Sequence, residues 1–165
     1  MNVLGIDPGT AACGYGIVHS DGGRLRVVDY GSWSTAAGDP AGSRLRCIRD
    51  EVTTLIERYA PAAVALEESY VGADARIALS VGQARGVVLV ACADAGLDCA
   101  EYPPATVKQA VCGYGRADKA QVQRMVKAIL GLAEPPKPHH AADALAVAIC
   151  HALAPPLAAL AGSAR

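Results

Sequence analysis

Three acids far apart in the chain stand where a carboxylate could do chemistry. Asp7 ends the apolar run Val3-Leu4-Gly5-Ile6, Glu67 ends Ala62-Ala63-Val64-Ala65-Leu66, and Asp143 lies in His139-His140-Ala141-Ala142-Asp143-Ala144-Leu145. Carboxylates crowded together repel one another and raise their own pKa unless a cation is present. Hard oxygen ligands suit Mg²⁺ or Mn²⁺, and an imidazole is compatible with Mn²⁺ and tolerable as an outer ligand of Mg²⁺. His140 is three residues from Asp143 and therefore shares its helix face. Two such ions about 4 Å apart can clamp the attacking water and the leaving oxygen of a phosphodiester, so phosphodiester hydrolysis is the reaction this set suits. Each residue also has a plainer reading. Asp7 could cap the Pro8-Gly9 turn, Asp143 could answer the dipole of a first helical turn, and His140 could sit on the surface.

The elements that must position these groups follow from periodicity and turn chemistry. Val3, Leu4 and Ile6 form a short buried strand that cannot continue through Pro8-Gly9, which puts Asp7 at its carboxyl end, the edge where open α/β sheets bind ligands. Cys13 to His19 and Leu25 to Trp33 read as strands joined by Asp21-Gly22-Gly23, a hairpin signal. Asp39-Pro40 resembles an N-cap followed by proline, after which Leu45, Ile48, Val52, Leu55, Ile56 and Tyr59 recur at helical spacing. Ala62 to Leu66 is a strand running into Glu67 and Glu68, and alternation turns Glu68 away from its neighbour. A long helix spans Asp74 to Ala95 and stops at Gly96. It holds Gly82 and Gly86, each costing roughly 1 kcal/mol relative to alanine, so close packing is expected there, against a second subunit or the protein's own sheet. Leu97 to Tyr102 is a strand, helices follow from Pro103-Pro104 to Val111 and from Asp118 to Leu130, and a last helix covers His139 to Leu153. A strand reached through a right-handed crossover pairs parallel beside the first, which brings Asp7 and Glu67 side by side.

Composition limits the alternatives. The chain has 165 residues, 52% of them hydrophobic and none Phe, which fits one domain with an aliphatic core. The longest uninterrupted apolar runs are too short to cross a bilayer, and no secretory leader pattern opens the chain, so a cytoplasmic protein with no membrane association is expected. The six cysteines lack zinc-like spacing and are expected to be buried, reduced thiols. The net charge of -1 does not announce nucleic acid, but Lys108, Arg116, Lys119, Arg124 and Lys127 face a single acid, Asp118, between residues 104 and 132, and Arg44, Arg46 and Arg49 cluster in an early helix.

Gly5-Ile6-Asp7-Pro8-Gly9, Leu66-Glu67, Gly82-Gln83-Ala84-Arg85-Gly86, Val107-Lys108-Gln109 and His140-Ala141-Ala142-Asp143-Ala144-Leu145 together resemble the RuvC family of bacterial Holliday junction resolvases, in order and with similar spacing from about residue 1 to 153. The resemblance implies an α/β RNase H-like fold with a five-stranded mixed sheet, three antiparallel strands then parallel crossovers, flanked by helices. It implies a nuclease domain over residues 1–154, and the Ala/Pro/Gly-rich stretch over 155–165 reads as a disordered tail. It further implies a homodimer that nicks two strands of a four-way DNA junction symmetrically during recombination and repair. Mg²⁺ is the implied cofactor, two ions per site with Mn²⁺ able to substitute. Carried over by position, Asp7, Glu67 and Asp143 are metal-binding catalytic acids, and His140 is a ligand or proton carrier. Lys108 and Lys119 lie near the cleaved phosphate, and Tyr70 stacks on a base, an interaction worth about 1–3 kcal/mol. Arg76 and Arg116 are further DNA contacts, and a branch-migration complex of the RuvA and RuvB type is an implied partner. Two rival readings remain on the sequence. A related RNase H-like nuclease could act on other branched nucleic acids. The Asp7-Pro8-Gly9-Thr10 turn also resembles the phosphate loop of actin-like and sugar-kinase ATPases, which need a second domain.

Overall fold

The computed structural model describes residues 1–68 and 74–154. Three antiparallel strands open the chain: β1 (Asn2–Asp7), β2 (Ala12–Asp21) and β3 (Arg24–Ser34). Gly22 and Gly23 turn the β2–β3 hairpin with φ of +56° and +89°, the left-handed backbone that a two-residue hairpin loop requires. Helix α1 (Ala41–Tyr59) crosses over to β4 (Ala63–Glu67), and α2 (Ala75–Asp94) crosses over to β5 (Cys99–Tyr102). Helices α3 (Pro104–Cys112), α4 (Lys119–Leu130) and α5 (His139–Leu153) complete the fold. The sheet order is β3-β2-β1-β4-β5, with β4 parallel to β1 and β5 parallel to β4.

Two local expectations are corrected. Helix α1 begins at Ala41 with Pro40 at the cap position and no side-chain cap, because Ser43 and Arg44 N–H bond to the Pro40 carbonyl and Asp39 is left outside. Leu97 is not in β5; its N–H bonds to the Cys92 carbonyl and finishes the turn out of α2, where Gly96 takes a φ of +69°.

Strand alternation divides the core between the two faces of the sheet. Leu4, Ile6, Val64 and Leu66 pack with Ile48 and Val52 of α1 and Ala84 and Val88 of α2. Val3 and Ala65 point the other way, into the cluster built by α3, α4 and α5. Helix α5 is buried along most of its length, from Ala141 to Cys150 except at Asp143, as expected of a helix apolar on all sides. It lies on β1 and β2 at positions that have no side chain. A Cβ built on Gly5 would run into the Ala144 carbonyl and stand 2.9 Å from Ala148 Cβ; one on Gly14 would run into the His140 carbonyl; one on Gly16 would stand 2.7 Å from Leu145 Cδ2.

Helix α2 behaves differently. Ala84, Val88, Ala91 and Cys92 face the core, while Leu79 and Val90 are 66% and 55% exposed. Nothing lies within 4 Å of a Cβ built on Gly82 or Gly86, so these glycines make no close contact with the described part of their own sheet. The uninterrupted apolar runs are short as expected, since Arg76 and Arg85 break the one in α2. By length and composition alone α2 could cross a membrane, and only 22% of its most apolar stretch is buried in the fold.

The glycine seat yields a direct test. Gly5→Ala or Gly14→Ala should destabilise the protein by at least about 1–3 kcal/mol, because the added methyl meets helix backbone that cannot rotate away. Chemical denaturation should show the fall as a lower midpoint, and a wild-type midpoint would mean that α5 is not seated this closely.

Candidate active site

Asp7 and Glu67 end adjacent parallel strands. The β1–β4 register pairs Ile6 with Leu66, so the next residue on each strand is an acid. Each stands two residues beyond a position that faces α5, Gly5 and Ala65, and alternation therefore aims both carboxylates at that helix. Glu68 falls on the opposite alternation, and its backbone N–H extends the β4–β5 ladder by bonding to the Tyr102 carbonyl.

His140 and Asp143 come down from α5. The His140 Nδ1–H donates to Asp7 Oδ2 at 2.8 Å, joining residues 133 apart in sequence. The His139 ring lies against the His140 ring with centroids 4.0 Å apart, a neighbour that the doubled histidine of the sequence hinted at but did not identify. Asp143 is the fifth residue of the helix rather than a first-turn acid, so the dipole explanation for it falls away. It is the lone charge on the otherwise buried stretch of α5, and a charge partly withdrawn from water favours a partner. Lys119, the first residue of α4, supplies one: its Nζ lies 3.4 Å from Asp143 Oδ2. A capping box at the start of α4, in which Asp118 and Gln121 exchange hydrogen bonds with each other's backbone, fixes where that lysine emerges.

Electrostatics follow from this crowding. Burial raises the pKa of Asp7, and the Asp143 charge adds to the rise, while the hydrogen bond and charge of His140 and the Lys119 ammonium oppose it. Glu67 is pushed up from 4.5 to about 7, chiefly by burial and then by the charges of Asp7 and Asp143, with Lys108 and Lys119 pulling the other way. Three carboxylates thus share one patch of field. Among the described residues no three Asp, Glu, His or Cys side chains are close enough to hold one ion between them; Asp7 is turned to His140 and Asp143 to Lys119. The set still fits a hard divalent cation chemically. It is rich in carboxylate oxygen, and its mutual repulsion is the condition that such an ion relieves.

The basic positions spread around this centre. Lys108 on α3 is half-buried and close enough to act on Glu67; Arg116 is exposed in the loop before α4. Arg76 is exposed in the first turn of α2 and, with Ile77, Ser80 and Val81, borders a groove of about 400 Å³ that reaches the Gly9–Ala12 turn and His140. Tyr70 lies outside the described residues. All six cysteines are free; Cys13, Cys92 and Cys150 are buried, whereas Cys47, Cys99 and Cys112 are only half-buried.

Sheet order, the antiparallel-then-parallel pairing and helices on both faces define an RNase H-like fold. The profile of the family described as crossover junction endodeoxyribonuclease RuvC matches residues 3–151. The chain is 54% identical over 156 residues to the RuvC of Chloroflexus aggregans, covering 94% of this chain and 95% of that one. It is 55% identical over 152 residues to the RuvC of Desulfitobacterium hafniense, covering 92% of both. Among solved structures, Thermus thermophilus RuvC in complex with a Holliday junction substrate superposes with a TM-score of 0.85 at 40% identity, over 92% of this chain and 93% of that one. The chain belongs to the RuvC family of crossover junction endodeoxyribonucleases, which are metal-dependent nucleases.

The raised Glu67 pKa has a consequence for stability. Below pH 4.5 the acid is protonated in folded and unfolded chains alike; between 4.5 and about 7 the unfolded chain ionises first, so stability falls as pH rises through that window. Thermal melts in chelator should show this fall, Glu67→Gln should flatten it, and added Mg²⁺ should offset it. A melting profile that Glu67→Gln leaves unchanged would remove Glu67 from the acidic cluster.

Proposed function

We propose that this protein resolves Holliday junctions by metal-dependent hydrolysis of one phosphodiester in each of two opposed strands, with Asp7, Glu67, Asp143 and His140 as its active site. The observation that carries this is the convergence of four residues from β1, β4 and α5 at one sheet edge, two of them 133 positions apart, in a chain of the RuvC family. Residues 1–154 form the nuclease domain, working in the cytoplasm on recombination and repair intermediates.

Asp7, Glu67 and Asp143 would hold Mg²⁺, two ions per site with Mn²⁺ able to replace them, and His140 borders the same set. When bound, the metal supplies Lewis acidity and lowers the pKa of the attacking water. The protein's own groups do the rest. His140 has Nδ1 committed to Asp7, which orients that carboxylate and leaves Nε2 to take a proton from the incoming water. Lys119 is 67% exposed and only 3.4 Å from Asp143, so its ammonium can exchange that contact for a phosphate oxygen. Lys108, beside Glu67, offers a second point charge where negative charge builds in the transition state. Arg76 and Arg116 extend the cationic track along the DNA backbone, and Tyr70 stacks on a base at the crossover.

A junction cut at two matching phosphates needs two active sites related by a two-fold axis. Helix α2 suits that axis. Leu79, Gly82, Gly86 and Val90 follow one another at helical spacing on the side away from Ala84 and Val88, and the two glycines admit a close helix partner. A homodimer through this face explains interior glycines that nothing in the described part of the subunit requires. A RuvA and RuvB type branch-migration complex is the partner that would deliver the junction.

Asp7→Asn should abolish nicking of a synthetic mobile four-way junction while leaving junction binding within about twofold of wild type, since a carboxamide keeps the shape and loses the charge. Retained cutting would take Asp7 out of the site, and equal cutting of linear duplex by the wild type would defeat the resolvase reading. Val90→Glu should shift the protein from dimer to monomer in sedimentation with little change in its melting temperature; an unchanged dimer would place the interface elsewhere.

A further inference from the structure

The turn that carries Asp7 is held by groups outside the acidic cluster. Pairing between β1 and β2 ends at Asp7 and Gly14, so Pro8 to Ala11 project beyond the ladder with no strand partner on β1. Gly9 lets the turn close tightly, since a Cβ there would run into the Ala12 carbonyl. Three other elements then take hold of it. Thr35, just past β3, donates its backbone N–H to the Ala11 carbonyl at 3.2 Å and its hydroxyl to the Thr10 carbonyl at 2.5 Å. Arg44, in the first turn of α1, donates Nε–H to Thr35 Oγ1 at 2.7 Å. Ser80, on α2, meets the Thr10 hydroxyl in a short hydrogen bond.

The direction of this chain is set by donor chemistry. A guanidinium can only donate, so Thr35 Oγ1 accepts from Arg44 and spends its single proton on Thr10. Accepting from a cation also polarises the hydroxyl and strengthens what it donates. Thr10 lies three residues from Asp7, with the fixed φ of Pro8 and the tight Gly9 between them. A shift of Thr10 therefore reaches the Asp7 carboxylate with little slack to absorb it.

We propose that Thr35, Thr10 and Ser80 are positioning residues that hold the Asp7 turn at catalytic geometry, with Ser80 tying that turn to α2, the helix assigned to the dimer face. The inference rests on Asp7 being a catalytic acid and adds that the turn leaving it is held from α1, β3 and α2 as well as by its own strand. In this reading all three act through Asp7. Their effect is on the turnover rate of bound junction, because misplacement of a reacting group by 1 Å can cost on the order of 100-fold.

The test uses the full chain on a four-way junction in saturating Mg²⁺, with Asp7→Asn beside it. Thr35→Val keeps the side-chain shape and removes the hydroxyl. It should lower kcat by about tenfold, leave the half-saturating junction concentration within about twofold, and speed amide hydrogen exchange in the peptide spanning residues 8–12 but not in α5. Thr35→Ser, which keeps the hydroxyl, should recover both. Ser80→Ala cuts the α2 tie without touching the sheet and should give the same signature with a loss of about threefold, the scale of one ordinary hydrogen bond. Wild-type kcat in both Thr35→Val and Ser80→Ala, or a loss that Thr35→Ser does not recover, overturns the proposal. If those variants are fully active while Asp7→Asn is dead, the network alone is refuted; an active Asp7→Asn refutes the site reading beneath it.

Discussion

Everything at the candidate site depends on how closely α5 lies on the first two strands. A helix cannot normally pack flat on a sheet without side chains between them, and here three strand positions under it, Gly5, Gly14 and Gly16, have none. The approach carries the start of α5 down over the carboxyl end of β1, which is what allows His140 to reach Asp7 at 2.8 Å and Asp143 to enter the same field. The stretch from Ala141 to Cys150 is made of small and aliphatic residues except at Asp143, so the helix can be buried on nearly all sides without stranding polar groups. The exception sits at the edge of the seat, where Lys119 can meet it.

The second constraint is charge. Burial and mutual repulsion work against ionising Asp7 and Glu67, and the fold answers from three different helices: with the ammonium groups of Lys108 on α3 and Lys119 on α4, and with the hydrogen bond of His140 on α5. These counter-charges keep a carboxylate cluster tolerable in a folded subunit. They are also groups that an anionic phosphodiester or a divalent cation would re-pair. Lys119 is mostly exposed, so its contact with Asp143 can be exchanged without unpacking the core.

Helix α2 presents two unlike faces and also reaches the candidate site. Its inner face belongs to the core through Ala84 and Val88, its outer face is apolar and glycine-bearing, and its first turns reach the Asp7 turn through Ser80. An element apolar on both faces cannot read as amphipathic, which is why its periodicity marks a long helix but not its orientation.

Much of this could be read from the sequence, and the reasons are local. The ends of β1 and β4 were legible because an apolar run meeting Asp7-Pro8-Gly9, or Glu67-Glu68, leaves few other places to stop, and the crossover rule then sets the two acids side by side. The bounds of α5 and the shared face of His140 and Asp143 follow from spacing alone. Other features were decided only in three dimensions. Whether Gly82 and Gly86 face the sheet or the outside depends on which side of α2 the core occupies. The start of α1 at Ala41 rather than after an Asp39 cap depends on which carbonyl the chain presents. The Lys119–Asp143 pair and the hold of Thr35, Arg44 and Ser80 on the Asp7 turn join residues that no spacing rule connects. Sequence determines hydrogen-bonding capacity, charge and period residue by residue, whereas a contact between distant segments exists only once the sheet and its helices have set the distance between them.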